Sequence, residues 1–324
     1  MSLTDGPTAA PGPALLDIDA IDSVDAVSAA LTAEGYLPDE GLSTVIYLAL
    51  RMRRPLLLEG EAGVGKTEVA RTLARAFGGR LIRLQCHEGI DAAQAVCEWD
   101  YARQLLHLRA AEATAGPAGR DAGALEAELY QERFLIRRPL LEALSITEGP
   151  PPVLLIDEVD RADDEFEAFL LEILADHAVT VPELGTFRAV VPPIVVLTSN
   201  RTRDVHDALK RRCLYHWIEH PDLEREVAIV RMRAPEVSEA TARTVASLVG
   251  GFRTLGLSKP PGVAETIDWA TAVSLVADAV DGGAIDEAAL TSSLGAVLKY
   301  REDEDRVRSA GLEALLAASA VPET

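Results

Sequence analysis

The stretch that decides the fold is "GEAGVGKT" at residues 60–67. It fits the pattern G-x-x-x-x-G-K-[ST], in which glycines let the backbone turn tightly and point several N–H groups towards one centre. An apolar stretch, "PLLLEG" at 55–60, precedes it, and a helical pattern, "KTEVARTLARAF" at 66–77, follows it. A strand, a glycine-rich turn and a helix N-terminus together favour phosphate binding. The sequence therefore predicts an α/β fold with a phosphate loop.

Each residue of this loop has an expected role. Backbone N–H groups would cradle phosphate oxygens, Lys66 would reach the β- and γ-phosphates, and the Thr67 hydroxyl would bind Mg²⁺. The chain contains four lysines, so a chance match to a motif that requires one is rare. The alternative is a glycine-rich turn without a ligand. The expected nucleotide contacts are Gly60, Glu61, Ala62, Gly63, Val64, Gly65, Lys66, Thr67, Glu68 and, from a second stretch, Asp157.

That second stretch is "PVLLIDEVDRAD" at 152–163, with two carboxylates at the end of an apolar strand. Ligands of parallel α/β sheets bind at such carboxyl ends. Asp157 suits the Mg²⁺ shell, directly or through water. Glu158 suits a general base that deprotonates the attacking water. Because neighbouring residues on a strand point to opposite faces, we expect the two roles to differ; the alternative is a solvated strand end.

Composition excludes several classes of function. The net charge of −21 and the pI near 4.7 oppose binding to nucleic acid or to anionic membranes, since both need a basic surface. No apolar run approaches the roughly 20 residues that cross a bilayer, and the N-terminus lacks the pattern of a signal peptide. Cys86, Cys97 and Cys213 lack metal-ligand spacing and fit a reduced compartment. We expect a cytoplasmic protein.

Strand signals continue up to Pro221, and helical patterns follow it. Apolar or alternating runs predict strands at 80–85, 193–200 and 214–219, a helix at 164–177 and a hairpin at 178–191. A segment as long as 86–150 between strands indicates either a functional segment or an inserted subdomain. The predicted organisation is a flexible N-terminal arm at 1–24, an α/β nucleotide-binding domain at 25–221 with a helical insert in 86–150, and a helical lid domain at 222–324.

These stretches resemble the AAA+ ATPases, and within them the MoxR family, over roughly residues 40–300. The matching pieces are "GEAGVGKTEVA", "LLIDEVDRADDEFEAFLLEIL" and "VVLTSNRTRDVHDALKRRCLYHWIEHP". "KPPGVAETIDW" at 259–269 and "LKYRED" at 298–303 are most similar to the CoxD-like branch, which is associated with maturation of molybdenum-containing carbon monoxide dehydrogenase. The resemblance implies a P-loop core with a five-stranded parallel sheet in the order 5-1-4-3-2, an all-α lid and a ring, commonly a hexamer.

The resemblance assigns a role to Asn200, the single asparagine of the chain. It matches the sensor-1 position at the end of a strand between the two motif strands. A neutral amide there donates to the γ-phosphate or holds the water, and it adds no negative charge beside Glu158. The alternative is a turn asparagine that tolerates a positive φ.

The resemblance also concerns arginines. Arg212 aligns best with the arginine that reaches the γ-phosphate of a neighbouring subunit, and Arg211 is second; the alternative for both is a surface charge at a helix C-terminus. AAA+ lids usually carry a further arginine, but the closest position here is Val263. Lys259 is a weak substitute for it.

The function implied by the resemblance is Mg²⁺-dependent ATP hydrolysis that remodels or matures a partner protein. The implied partners are a von Willebrand factor A domain protein and a molybdenum-containing dehydrogenase as client. Lys66, Glu158, Asn200 and Arg212 would be catalytic, and Thr67 and Asp157 would hold the metal. A nucleotide-gated binding module with little turnover is the alternative that the missing lid arginine motivates, and a DNA motor is opposed by the charge of −21. A GTPase is disfavoured because no Asn-Lys-x-Asp motif is present.

Overall fold

The computed structural model describes residue 18 and residues 21–114, 122–279 and 287–319. Most of the arm predicted at 1–24 therefore lies outside the described residues. Its described end belongs to the folded core, because Ile21 is buried and a helix begins at Val24. That helix buries Val27 and Leu31, a spacing of four residues that places both side chains on one face.

Strands and helices are interspersed up to Ile218, and only helices follow among the described residues. The strands are β1 Leu56–Gly60, β2 Leu81–Gln85, β3 Cys97–Trp99, β4 Leu135–Arg137, β5 Val153–Asp157, β6 Ala178–Val181, β7 Gly185–Arg188, β8 Ile194–Ser199 and β9 Leu214–Ile218. The helices are α1 Val24–Ala33, α2 Glu40–Met52, α3 Lys66–Phe77, α4 Ala92–Ala95, α5 Tyr101–Thr114, α6 Ala122–Leu129, α7 Pro139–Leu144, α8 Asp164–Asp176, α9 Asp207–Arg212, α10 Leu223–Arg233, α11 Glu239–Thr254, α12 Val263–Ala279, α13 Glu287–Ser292, α14 Leu294–Val297, α15 Arg301–Ala310 and α16 Leu312–Ser319.

The main sheet has five parallel strands in the order β2-β5-β8-β1-β9. Numbered along the chain and read from the other edge, this is 5-1-4-3-2, so the predicted P-loop fold and strand order are confirmed. β1 and β5 are buried at every position, as expected for strands that helices cover on both faces. The carboxyl ends of β1, β5 and β8 therefore lie side by side along one edge of the sheet.

The sheet has an apolar core on each face, and the helical part has a third core of its own. Leu73 of α3 belongs to the first core, and Leu170 of α8 belongs to the second. In the third, Phe252 and Trp269 pack with their ring centroids 5.4 Å apart. We call the helical part, α10 to α16, the lid.

The segment predicted to hold a helical insert, 86–150, contains helices and also an antiparallel strand pair, β3 and β4. Each of these strands is three residues long, too short to produce a readable alternation of apolar and polar residues. The hairpin predicted at 178–191 is confirmed as β6 and β7.

Candidate active site

The phosphate loop connects the end of β1 to the start of α3. Gly63 and Gly65 have φ values of 82° and 94°, the left-handed region that residues with a side chain rarely adopt. A Cβ added to Gly60 would lie 2.4 Å from the carbonyl oxygen of Ile218 on β9. The backbone path and the close approach to β9 thus both require the glycines that the motif contains.

Lys66 is buried, and its amine is folded back onto the loop. Nζ donates to the carbonyl oxygens of Gly60, at 2.8 Å, and Glu61, at 2.6 Å. Burial lowers the pKa of Lys66, and nearby carboxylates, chiefly Asp160 and Asp157, oppose that shift. Phosphate oxygens would replace the two carbonyls as partners of the amine and would offer it the negative charge that they lack.

Thr67 and Asp157 meet where the metal is expected. The Thr67 hydroxyl lies 3.1 Å from Oδ1 of Asp157, a carboxylate only 3% exposed. The same oxygen accepts from Thr198, and Oδ2 accepts from Nε of Arg83 at 2.9 Å. A hydroxyl and a carboxylate are the hard oxygen ligands that Mg²⁺ prefers, usually with substrate phosphates and water as its remaining ligands. The residues present therefore fit Mg²⁺.

Glu158 leaves the strand. Its φ of 55° turns the backbone directly after β5, so the expectation that the two acids alternate along a strand is wrong. Its Oε2 accepts from Nε2 of Gln85 and Nη1 of Arg161, both at 3.0 Å. Its backbone N–H donates to Thr198 at 3.0 Å. Thr198 thus bonds both acidic residues, and Gln85 and Arg161 fix the position of the Glu158 carboxylate.

Asn200 directly follows β8, in a turn that Asp160 organises. Asp160 is 2% exposed and accepts from the backbone N–H of Asn200 at 3.2 Å and of Thr202 at 2.8 Å. It also accepts from the Thr202 hydroxyl at 2.7 Å. The side-chain amide of Asn200 makes no hydrogen bond to any described residue. Asp160 therefore fixes the turn and leaves this amide available.

Arg212 lies far from the phosphate loop of its own chain. It ends α9 just before β9, whose Leu214 is in register with the first residue of β1, whereas Ile218 is in register with Gly60. Four residue steps along the strand separate these two positions by roughly 13 Å. The Arg212 guanidinium is exposed and donates to the carbonyl of Leu171 on α8. The Arg212 side chain therefore lies at the end of β9 opposite to the phosphate loop of its own chain.

The C-terminal end of α9 is anchored by Arg54, which lies between α2 and β1. Arg54 donates from Nη2 to the carbonyl of Arg211 at 2.7 Å and from Nε to the carbonyl of Arg212 at 3.0 Å. This contact satisfies carbonyls that a helix C-terminus leaves without partners. It holds the backbone and leaves the Arg211 side chain exposed.

The lid approaches the loop without an arginine at the expected position. Val263 begins α12, and its backbone N–H donates to the carbonyl of Gly63 at 3.0 Å. Lys259 is exposed, and its backbone N–H donates to Asp303 at 3.1 Å. The contact between lid and loop is thus made by backbone atoms.

Four polar residues around the acids were not predicted: Arg83, Gln85, Asp160 and Thr198. The sheet order carried a usable signal for two of them, because it places the end of β2 beside the end of β5. Asp160 stood inside the quoted acidic stretch, three residues after Asp157. Nothing local marks Thr198, whose hydroxyl matters only because β8 lies next to β5.

Comparison with known proteins agrees with this geometry. Residues 55–213 match the family described as AAA domain (dynein-related subfamily). This segment is an AAA-type nucleotide-binding domain, so the predicted AAA+ resemblance is confirmed at that level. A solved structure of the Thermotoga maritima RuvB Holliday junction branch migration motor aligns over 87% of this chain and 80% of that chain, with 17% identity and a TM-score of 0.47. No curated protein matches the sequence.

The described helices differ from helices that span a membrane. None of them combines the length and the apolar character that crossing a bilayer requires. No group of three or more His, Cys, Asp or Glu side chains among the described residues forms a metal-binding cluster. A Mg²⁺ ion that takes most of its ligands from a nucleotide and water does not require such a cluster.

Proposed function

We propose that this chain, with its AAA domain at residues 55–213, is a Mg²⁺-dependent ATPase that remodels or matures a partner protein. The observation that carries the proposal is the contact of 3.1 Å between the Thr67 hydroxyl and Oδ1 of Asp157, next to the buried amine of Lys66. Phosphoryl transfer needs a cation that binds the phosphates, a hydroxyl and a carboxylate that bind the metal, and a second carboxylate that accepts a proton from the water.

The residues of one chain divide the work. Lys66 exchanges the carbonyls of Gly60 and Glu61 for the β- and γ-phosphates, and the loop N–H groups bind the remaining oxygens. Thr67 and Asp157 would hold Mg²⁺, which would neutralise the negative charge that develops on the phosphates. Glu158 takes a proton from the attacking water. The Asn200 amide orients that water or the γ-phosphate.

A second protomer supplies Arg212. The strand geometry supports this arrangement. The exposed Arg212 lies near the amino-terminal ends of β1 and β9, whereas the phosphate loop of its own chain follows the carboxyl end of β1. A ring of protomers, commonly six in the resembled AAA+ proteins, would place it beside the neighbouring nucleotide. As in the resembled AAA+ proteins, its charge would stabilise the transition state.

The partner protein is proposed from the resemblance to the MoxR family and its CoxD-like branch. The stretches at 259–269 and 298–303 support this assignment. We infer a cytoplasmic chaperone that works with a von Willebrand factor A domain protein, and a molybdenum-containing dehydrogenase as its client. Genes for both beside the gene for this chain would support the assignment, and a conserved neighbourhood without either would count against it.

A specific observation favours a second candidate, a nucleotide-gated binding module with little turnover. Gln85 and Arg161 both bond the carboxylate of Glu158, and the lid carries no arginine at Val263. Such a module would bind ATP tightly and switch a partner interaction without releasing phosphate.

Steady-state phosphate release and ATP binding separate these candidates. We expect Mg²⁺-dependent release from the native chain and a loss of about 10²–10⁴-fold in Glu158→Gln, with ATP binding retained. Glu165→Gln is the matched control, because Glu165 is exposed on α8. Tight ATP binding with negligible release, also in the presence of the partner, would identify the binding module. Absence of ATP binding would exclude both candidates.

A further inference from the structure

The lid touches the phosphate loop at a point where two glycines meet. A Cβ added to Gly262 would lie 2.5 Å from Cα of Gly63, and one added to Gly63 would lie 2.7 Å from Cα of Gly262. The Val263 N–H donates to the Gly63 carbonyl at 3.0 Å. Neither glycine leaves room for a side chain, so the two backbones are in direct contact.

A buried cluster in the lid holds its side of this contact. Arg253 donates to both oxygens of Glu226 at 2.7 Å and, from Nε, to the carbonyl of Pro261 at 2.9 Å. Thr266 on α12 donates to Glu226 at 2.7 Å. The Glu226 residue is 1% exposed and the Arg253 side chain 12%. We call Glu226, Arg253 and Thr266 the lid clasp; it joins α10, α11 and α12 immediately behind Gly262.

The loop side of the contact is built to change when phosphate binds. The Lys66 amine is bonded to the carbonyls of Gly60 and Glu61, three and two residues before Gly63. Phosphate oxygens would take the amine from those carbonyls and would accept from the loop N–H groups. We therefore expect phosphate binding to change the hydrogen bonds of the loop backbone, and Gly63 lies in the middle of that loop.

We propose that the lid of this chain senses nucleotide through the phosphate loop itself, by the backbone contact of Gly262 and Val263 with Gly63. Arg253 is the positioning residue that keeps the lid segment against the loop. The proposal rests on the proposed function, since a nucleotide must bind the loop. It explains how the lid can respond although position 263 is a valine. Lys259 does not supply the contact, because its side chain is exposed and Asp303 holds its backbone.

Hydrogen exchange with and without a non-hydrolysable ATP analogue and Mg²⁺ tests this coupling. In the native chain we expect the analogue to protect residues 60–67 and to change exchange at the start of α12. Gly262→Ala inserts a methyl group into the contact. Val263→Pro removes the donating N–H at a first helical position, where proline is tolerated. In both variants we expect affinity for the analogue within about threefold of native, protection of the loop, and loss of at least half of the α12 response.

The control variant and the contrary outcomes make the test decisive. Gly250→Ala lies in α11 with no atom within 4 Å of its new methyl group, and we expect a native response from it. An unchanged α12 response in Gly262→Ala and Val263→Pro would overturn the coupling, as would a protected loop without any α12 response in the native chain. Loss of binding in both variants would mean that the contact shapes the loop and does not report on it, which also contradicts the proposal. A native loop that the analogue does not protect would remove the proposed function itself.

Discussion

The carboxyl edge of the sheet and the lid clasp lie on either side of one loop, but they are held in different ways. At the edge, Asp157 and Glu158 share partners from neighbouring strands, and the Glu158 bonds are partly open to water. In the clasp, Arg253 and Glu226 pair with both oxygens engaged and almost no exposure. The edge can therefore exchange partners during a reaction, whereas the clasp holds three lid helices together as one buried unit. Substitutions should separate the two: those at the edge change rate, and those in the clasp change stability.

The largest expected effect concerns rate alone. Arg212→Ala should lower ATP hydrolysis by about 10³-fold or more, because the transition state loses a positive charge from the neighbouring protomer. Lys66→Ala should be inactive for a different reason, the loss of phosphate binding. Mixed under conditions that form rings, the two inactive proteins should recover phosphate release, since one supplies the loop and the other the arginine.

Two outcomes would contradict this assignment of Arg212. One is near-native hydrolysis by Arg212→Ala, and the other is no recovery in mixed rings. Arg211→Ala is the control, since it removes an exposed charge from the same end of α9 and should have a smaller effect. Urea unfolding should not distinguish either arginine variant from the native chain, because both side chains are exposed.

The second prediction concerns the lid clasp, where a substitution should change stability instead of rate. Arg253→Gln leaves the buried Glu226 carboxylate without its cation and should lower the free energy of unfolding by about 3–5 kcal/mol. Urea unfolding followed by tryptophan fluorescence measures this loss. Arg243→Gln removes the cation of an exposed pair with Glu224 and should leave the unfolding midpoint unchanged. Equal midpoints for both variants would show that the clasp is not the stabilising unit that its burial indicates.

The same contrast explains what the sequence could predict. Lys66, Thr67, Asp157 and Glu158 were identified because each has a distinctive chemistry and stands at the end of an apolar strand or the start of a helix. The five-strand order followed from the resemblance and agrees with the observed pairing. These features are local in the chain, or belong to a motif whose context is local.

What was not predicted depends on contacts between distant segments. Gly262 has no local signature, and its importance comes from a backbone 199 positions earlier in the numbering, at Gly63. Arg83 bonds Asp157 only because β2 pairs with β5. The positive φ of Glu158 was missed because an apolar run does not show where its strand stops. Side-chain motifs are thus readable from sequence, whereas close approaches of backbone require the structure.

The third prediction concerns Asp160, a buried residue at the carboxyl edge of the sheet. Asp160→Asn keeps the shape of the side chain, but an NH₂ group, which can only donate, replaces one carboxylate oxygen, so the backbone N–H of either Asn200 or Thr202 loses its acceptor. The loss of one charge-assisted hydrogen bond should misplace the Asn200 amide and lower kcat roughly tenfold, with KM for ATP little changed. Steady-state kinetics measures this split. Asp204→Asn, an exposed carboxylate near the same turn, should remain native in both constants. A rise in KM with kcat unchanged would place Asp160 in substrate binding instead.

The smallest effect is expected at His220, which lies between the phosphate loop and the lid. Its Nε2 lies 3.1 Å from Oε2 of Glu61 in the phosphate loop. The first lid helix, α10, begins shortly after His220, at Leu223. Burial, and then the positive charge of Arg253, lower the pKa of His220 below its ordinary 6.5, while Glu61 and Glu226 oppose the shift. Below about pH 6.5 the unfolded chain therefore binds a proton that the folded chain resists, so the free energy of unfolding falls as the pH falls through the folded-state pKa.

His220→Gln removes this contribution, so its unfolding free energy should depend less on pH than that of the native chain below about pH 6.5, and equally above it. Urea unfolding at a series of pH values measures the difference, and His87→Gln is the control because His87 is exposed. Parallel curves for the native chain and His220→Gln would show that His220 titrates alike in both states. The link between loop and lid would then depend on the glycine contact without a contribution from the Glu61 pair.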